Sequence, residues 1–187
     1  MRRDGGGLVF LMTSNEVAQK LQLPFLSDLF FDVKDKFSIL RYIIPDDIPY
    51  DTKSSFSLYI NHRKTFTGIT DNDRSLTMRK FAEFIQNMKS LDVSFTQKKF
   101  GEEFRSPGHI PICVAAKNLL YERSGHTELI IALLQMASLT PAGSGCEIMG
   151  NNGTALSRQD ALRYAKRKEF VYLEGNEIID VWKSWQK

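Results

Sequence analysis

Arg123-Ser124-Gly125-His126-Thr127-Glu128 runs directly into the apolar stretch Leu129-Ile130-Ile131-Ala132-Leu133-Leu134-Gln135-Met136-Ala137. A cation, hydroxyls, an imidazole and a carboxylate are thereby gathered where a helix begins. A glycine turn that feeds polar residues into a helix N-terminus can hold an anion. The first N–H groups have no intrahelical acceptor, and the helix dipole favours negative charge there. A phosphate could sit on that turn with Arg123 as its counter-charge. The same residues also make an ordinary helix start, with Thr127 near the cap.

Working outward, Ser106-Pro107-Gly108-His109 is a turn that delivers His109 to the start of Ile110-Pro111-Ile112-Cys113-Val114-Ala115-Ala116, a run with buried-strand composition. On the other side, Pro141-Ala142-Gly143-Ser144-Gly145 breaks the helix and leads into Cys146-Glu147-Ile148-Met149, a short strand-like segment closed by the turn Gly150-Asn151-Asn152-Gly153. Glu147 thus stands inside an otherwise apolar strand, where a carboxylate needs a partner or a chemical task. The chain holds 3 histidines, and both His109 and His126 sit at such junctions. Each taken alone is more often structural than catalytic. Together, the junctions at His109, His126 and Glu147 can converge at one sheet edge, as α/β folds build sites from loops.

These motifs resemble the 3,4-dihydroxy-2-butanone 4-phosphate synthase family of riboflavin biosynthesis. The resemblance rests on Pro107-Gly108-His109 before a strand, Arg123-x-Gly125-His126-Thr127-Glu128, Pro141-Ala142-Gly143, and Cys146-Glu147 followed by Asn151-Asn152-Gly153. It extends to Thr67-Gly68-Ile69-Thr70-Asp71-Asn72-Asp73-Arg74-Ser75-Leu76-Thr77 and to Met12-Thr13 with Leu21-x-Leu23-Pro24, and it is weakest from Phe25 to Phe56. It implies a mixed α/β (α+β) domain with a twisted mixed sheet flanked by helices. It also implies a homodimer and a lyase that converts D-ribulose 5-phosphate to 3,4-dihydroxy-2-butanone 4-phosphate and formate with a divalent metal, Mg2+ or Mn2+.

By that resemblance, Arg123, Ser124, Gly125, His126 and Thr127 hold the phosphorylated substrate and His126 is the imidazole metal ligand. His109 and Glu147 are the pair essential for proton transfer, and Glu147 also contacts the substrate's hydroxyls. Thr70, Asp73 and Arg74 are expected near the phosphate, although an Asp-Arg pair before a helix is also a common cap and surface pair. Such a route needs a phosphate anchor, a polarised carbonyl and acid/base groups.

The chain also departs from the family pattern. Members carry an acidic loop of the type Arg-Glu-x-Glu-Gly-Asp, which supplies carboxylate ligands for the metal. Here Arg3-Asp4-Gly5-Gly6-Gly7 falls on the family's later Arg-His-x-x-Gly segment, because Met12-Thr13 and Leu21-x-Leu23-Pro24 follow without a gap. Residues 1–187 are therefore expected to form a single domain, incomplete at its N-terminus. Phe10 stands where many members have a site-lining cysteine, and an aromatic there cannot act as a thiol. A magnesium ion held by His126 alone would bind weakly, since hard cations prefer several oxygens. The alternative function is a catalytically inactive sugar-phosphate-binding homologue or truncated form.

Bulk properties fit a soluble cytoplasmic enzyme. The 187 residues suit one domain, and 42% hydrophobic with 25% charged residues is ordinary globular composition. A net charge of +3 suits an anionic substrate but is too small and dispersed for a nucleic-acid partner. No stretch approaches a membrane span. Cys113 and Cys146 lie in apolar strand-like segments, as reduced thiols do.

Periodicity predicts strands near Leu8–Met12, Phe37–Ile43, Ser55–Ile60, Ile110–Ala115, Cys146–Met149 and Phe170–Leu173. It predicts helices near Ser14–Leu21, Leu76–Met88, Thr127–Ala137, Arg158–Lys168 and Glu177–Trp185. Gln97-Lys98-Lys99-Phe100-Gly101-Glu102-Glu103 reads as a charged surface loop. Pro45-Asp46-Asp47-Ile48-Pro49-Tyr50-Asp51 reads as a turn-rich loop whose aspartates either reach a metal or simply shape the turn.

Overall fold

Two runs of consecutive apolar residues, Val9-Phe10-Leu11-Met12 and Ile110 to Ala115, have no polar alternation, as befits strands covered on both faces. The computed structural model describes residues 5–44, 47–48, 53–88 and 92–185. In it these runs form the central pair of a four-stranded sheet. The elements follow in the order β1 (Gly5–Thr13), α1 (Asn15–Leu21), α2 (Leu26–Val33), α3 (Leu40–Ile43), β2 (Phe56–His62), α4 (Asp71–Asn87), α5 (Val93–Glu103) and β3 (Phe104–Val114). A 3-10 turn (Leu119–Tyr121), α6 (His126–Met136), β4 (Ala142–Ile148), α7 (Arg158–Lys168) and α8 (Gly175–Trp185) complete the chain.

The sheet order is β2-β3-β1-β4. The β1–β3 pair is parallel, with Leu11 opposite Ile112, while β4 runs antiparallel to β1 and β2 antiparallel to β3. The sheet is therefore mixed, as expected.

Each face has its own core. Leu11, Ile60, Ile110, Ile112 and Val114 pack under α1, α4 and α5, where Phe81 and Ile85 are almost wholly buried. Phe10, Met12, Cys113 and Ala115 pack under α6, α8 and the 3-10 turn, with Ile131 and Trp182 against them. On the first face Phe81, Phe84, Phe100 and Phe104 form an aromatic cluster, in which Phe100 stacks on Phe104 at 4.7 Å. That cluster pins α5 to the start of β3.

Several expectations are corrected. The segment Phe37–Ile43 is not a strand; it turns and ends in the four-residue helix α3, with Phe37, Ile39 and Tyr42 exposed. A short apolar run has no periodicity of its own, and here no sheet edge meets it. Phe170–Leu173 likewise pairs with no strand. The left-handed residue Glu169 ends α7 and turns Phe170 back onto the Tyr164 ring, at 6.1 Å.

Gln97–Glu103 is helical, not loop, because Asp92 caps α5 by accepting the Phe95 N–H at 2.9 Å, and because Thr96 and Phe100 face inward while the charges face water. Thr70 likewise caps α4 and moves its start back to Asp71. Helix α2 had no counterpart in the reading of periodicity. Strand β4 starts at Ala142, four residues early, since Gly143 and Gly145 belong to it. Both cysteines are free thiols; Cys113 is buried, which pushes its thiol up to about 11, and Cys146 is half-buried.

Two glycines differ sharply in what a side chain would meet. A Cβ on Gly108 would lie 2.1 Å from the Ile60 backbone carbon, whereas one on Gly101, in α5, would meet nothing within 4 Å. Gly108→Ala should therefore lower stability by at least about 2 kcal/mol, while Gly101→Ala should raise it by up to about 1 kcal/mol, both read from denaturant midpoints. Equal effects would contradict the packing described.

His62, 4% exposed and edge-on to Phe104, is held below the ordinary histidine value by burial. The unfolded chain then takes up a proton first, so stability should fall as pH drops from about 6.5 towards the folded value. Thermal melts of His62→Gln should show a shallower pH dependence over that window than the parent.

Candidate active site

The register brings the three junction residues to one face of the sheet. Counted back three residues along each strand from the Leu11–Ile112 pair, where the β1–β3 ladder begins, His109 falls level with Leu8 of β1. On the other side of β1, Val9 pairs with Cys146 and Phe10 with Gly145, so Glu147 is the next residue of β4 towards Leu8. Strand alternation then puts Glu147 on the face shared by Gly145, Phe10 and Met12. His109 shares that face too, since its neighbour Ile110 is in the opposite core. His109 and Glu147 flank β1 from strands about 10 Å apart.

His126 completes the group from above. It opens α6, and its ring lies 5.2 Å from that of Phe10. The helix approaches this closely because β4 is glycine-bearing beneath it. A Cβ on Gly143 would lie 2.7 Å from Ile130, and one on Gly145 would lie 3.2 Å from the Phe10 ring. Phe10 thus fills the space that Gly145 leaves and forms an apolar floor beside His126. His109, His126 and Glu147 are all exposed. Glu147 therefore suffers no burial, contrary to the expectation of a carboxylate enclosed in an apolar strand.

The turn before α6 is held by a buried acid. Glu128 is 0% exposed; its Oε1 accepts the Ala116 N–H at 2.9 Å, and both oxygens lie 3.3 Å from Arg123 Nη1. The Arg123 guanidinium is thus engaged inward, where it balances a carboxylate that would otherwise be stranded. Thr127 is also wholly buried and its hydroxyl lies towards the Cys113 thiol, while Ser124 is exposed. Gly125, the N-cap of α6, supplies no side-chain acceptor. The first-turn N–H groups of α6 are left without a cap, as an anion site requires.

The Thr67–Thr77 segment stands on the far side, at the end of β2. Thr70 Oγ1 accepts the Asp73 N–H at 3.2 Å. The Asp73 carboxylate accepts N–H bonds from Gly68, Thr67 and Phe66, at 2.8, 3.2 and 3.4 Å, and is held below the usual carboxylate range chiefly by the Gly68 bond. Arg74 pairs with Asp71 at 2.9 Å. These residues organise a turn.

One residue escaped the sequence reading. Asn61, on β2 and 3% exposed, accepts the His109 N–H at 2.9 Å and sets its Nδ2 3.0 Å from His109 Nδ1. An asparagine in a strand that otherwise packs into the core is the signal that could have found it.

Among the described residues, no three of His, Cys, Asp and Glu come together as a metal-holding group. The donors that stand here, the imidazoles of His109 and His126 and the Glu147 carboxylate, offer fewer oxygens than a hard cation prefers. Of the turn-rich loop's aspartates, Asp46 and Asp51 lie outside the described residues. Two clefts lie away from the His109 face. One, of about 590 Å³, runs between the end of β4 and α7; the other, of about 270 Å³, is lined by Lys53, Lys117, Arg123 and Glu128 among others. Among the described residues, no helix is long and apolar enough to cross a membrane.

A family model described as 3,4-dihydroxy-2-butanone 4-phosphate synthase matches residues 1–181. The protein of that name from Methanothermobacter thermautotrophicus is 41% identical over 181 residues, 96% of this chain and 76% of the relative. Its counterpart from Archaeoglobus fulgidus is 42% identical over 192 residues, covering 100% and 78%. Among solved structures, the Candida albicans synthase superposes with a TM-score of 0.68 at 24% identity, over 96% of this chain and 74% of that one. A synthase in complex with two magnesium ions superposes with a TM-score of 0.69 at 20% identity, over 98% and 77%. These two likenesses show a shared fold. With the family model spanning all but the last residues and two relatives above 40% identity, the chain belongs to the 3,4-dihydroxy-2-butanone 4-phosphate synthase family, the enzymes that act on ribulose 5-phosphate in riboflavin biosynthesis.

Proposed function

We propose that this chain converts D-ribulose 5-phosphate to 3,4-dihydroxy-2-butanone 4-phosphate and formate, with its reacting groups on the α6 face of the sheet. The observation that carries the reading is the placement of His109, Glu147 and His126 on one face of the sheet, to either side of β1 and over Phe10. Enolisation, dehydration, rearrangement and cleavage move protons repeatedly between carbon and oxygen. They need no external oxidant, because the substrate's atoms reappear in the two products. An imidazole and a solvated carboxylate on either side of one strand supply such transfers.

The substrate's phosphate is assigned to the first turn of α6, where uncapped N–H groups of His126, Thr127 and Glu128 meet the positive end of the helix. In this assignment Gly125 gives the backbone its close approach and the exposed Ser124 adds a hydroxyl. Arg123 contributes its charge while Glu128 fixes its position. Thr70, Asp73 and Arg74 act at longer range, as the turn behind His109.

The ion is assigned as Mg2+ or Mn2+, in keeping with the two magnesium ions bound by a protein of the same fold. It would polarise the sugar's carbonyl. His126 is the ligand proposed from this chain. The protein is placed as a cytoplasmic homodimer; the apolar surface left open by Phe31, Phe37, Ile39 and Tyr42 supports an assembly. No nucleic-acid or membrane partner is proposed. A second reading, an inactive sugar-phosphate binder, draws on the absence of a three-ligand metal group among the described residues.

Formate release from ribulose 5-phosphate separates the two. The chain with magnesium should release formate, and a chelator should abolish it; binding without formate would favour the inactive homologue. In the same assay His109→Ala and Glu147→Ala should each lower kcat by roughly 10²-fold or more with the fold intact. Unchanged turnover in either variant would remove that residue from the reaction.

A further inference from the structure

The bond network around His109 specifies more than its place. Asn61 Oδ1 accepts the backbone N–H of His109, which fixes the orientation of the carboxamide. The end that meets His109 Nδ1 at 3.0 Å is therefore the NH2 group. An amide NH2 only donates, so Nδ1 is the acceptor and carries no proton. In the neutral ring the proton then resides on Nε2, the nitrogen left to the exposed side. An imidazolium would set an N–H against an N–H, and is disfavoured for the same reason.

Asn61 cannot easily turn over. Its Nδ2 also donates to Thr67 O at 3.5 Å, so a flipped amide would set two acceptors face to face there. Gly68, with φ +92°, lies directly on it; a Cβ at that position would be 2.0 Å from Nδ2. The turn that carries Gly68 is itself closed by Asp73, through the N–H groups of Phe66, Thr67 and Gly68. Asp73 holds the turn, the turn holds Asn61, and Asn61 holds the His109 ring.

We propose that Asn61 is a positioning residue that keeps His109 neutral with its proton on Nε2, so that His109 serves the reaction as a hydrogen-bond donor to the substrate's carbonyl or enediolate oxygen and Glu147 serves as the base. A neutral imidazole in this state stabilises developing negative charge on oxygen without giving up its proton. The carbon-bound proton passes to the Glu147 carboxylate, and no bond is made or broken at the His109 ring. This assignment rests on the proposed function of the His109 face and narrows the part of His109 in the proton transfers to hydrogen-bond donation, leaving the transfer itself to Glu147.

The test is the ring-nitrogen NMR spectrum of the full chain labelled with 15N-histidine, near pH 8, with His109→Gln used to identify the His109 signals. The expected result is a neutral ring protonated at Nε2. Asn61→Asp keeps the acceptor for the His109 N–H but replaces the NH2 donor by an acceptor. It should move the ring proton to Nδ1, or add one there, and lower kcat roughly 100-fold with KM within about threefold. A parent ring protonated at Nδ1 would overturn the proposal. So would an Asn61→Asp ring unchanged from the parent, or turnover of that variant within threefold. The spectrum of the parent needs no turnover. If the parent ring is as expected and no formate is released, the proposed reaction fails and the Asn61 contact stands by itself.

Discussion

A single carboxylate with no access to water sets the geometry of this molecule. Glu128 joins the exit of β3, through the Ala116 N–H, to the cation of the turn and to the first turn of α6. Enclosing such a group is tolerable only because both oxygens have partners. The consequence is positional. With α6 tied at its first turn to the end of β3, His126 is carried over Phe10, and the helix lies on the glycines of β4. Together with the Phe10–His126 contact and the packing of Ile131, this buried group fixes the start of α6 relative to the sheet.

The sheet supplies the second constraint. Because β1 is covered on both faces and paired on both edges, its register with β3 and β4 admits no slip without exchanging two cores. His109 and Glu147 inherit their separation from that register and not from any contact between them. Phe10 shows how locally such a site is balanced. Its ring occupies the space above Gly145, so the aromatic and the glycine across the strand pair depend on one another.

Much of this was legible in the chain. The fold class was implied by the family resemblance, and the alternation of short apolar runs with amphipathic stretches agreed with it. The positions of His109, His126 and Glu147 followed from their places at junctions. The segments that misled share a cause. Phe37–Ile43 and Phe170–Leu173 have strand composition but no neighbouring edge, and composition carries no information about neighbours. Gln97–Glu103 looked like a surface loop because its charges outnumber its apolar residues, although Asp92, Thr96 and Phe100 fall at helical spacing. The inward turn of Arg123 was not readable, since it depends on Glu128 being buried. Asn61 was hidden for a related reason: its partner lies 48 positions away, across a strand pair whose register shifts between the two.

That shift is a feature with its own meaning. Ile60 pairs with Ile110, yet the next residue, Asn61, pairs with Arg105, so Ser106 to His109 stand outside the ladder while both flanks of it remain in step. The segment behaves like a cassette mounted on a rail. Its exposed positions can change without moving the core on either side, while Gly108, pressed against the Ile60 backbone, is held fixed. A lineage could therefore retune the chemistry presented by His109 while inheriting the scaffold unchanged.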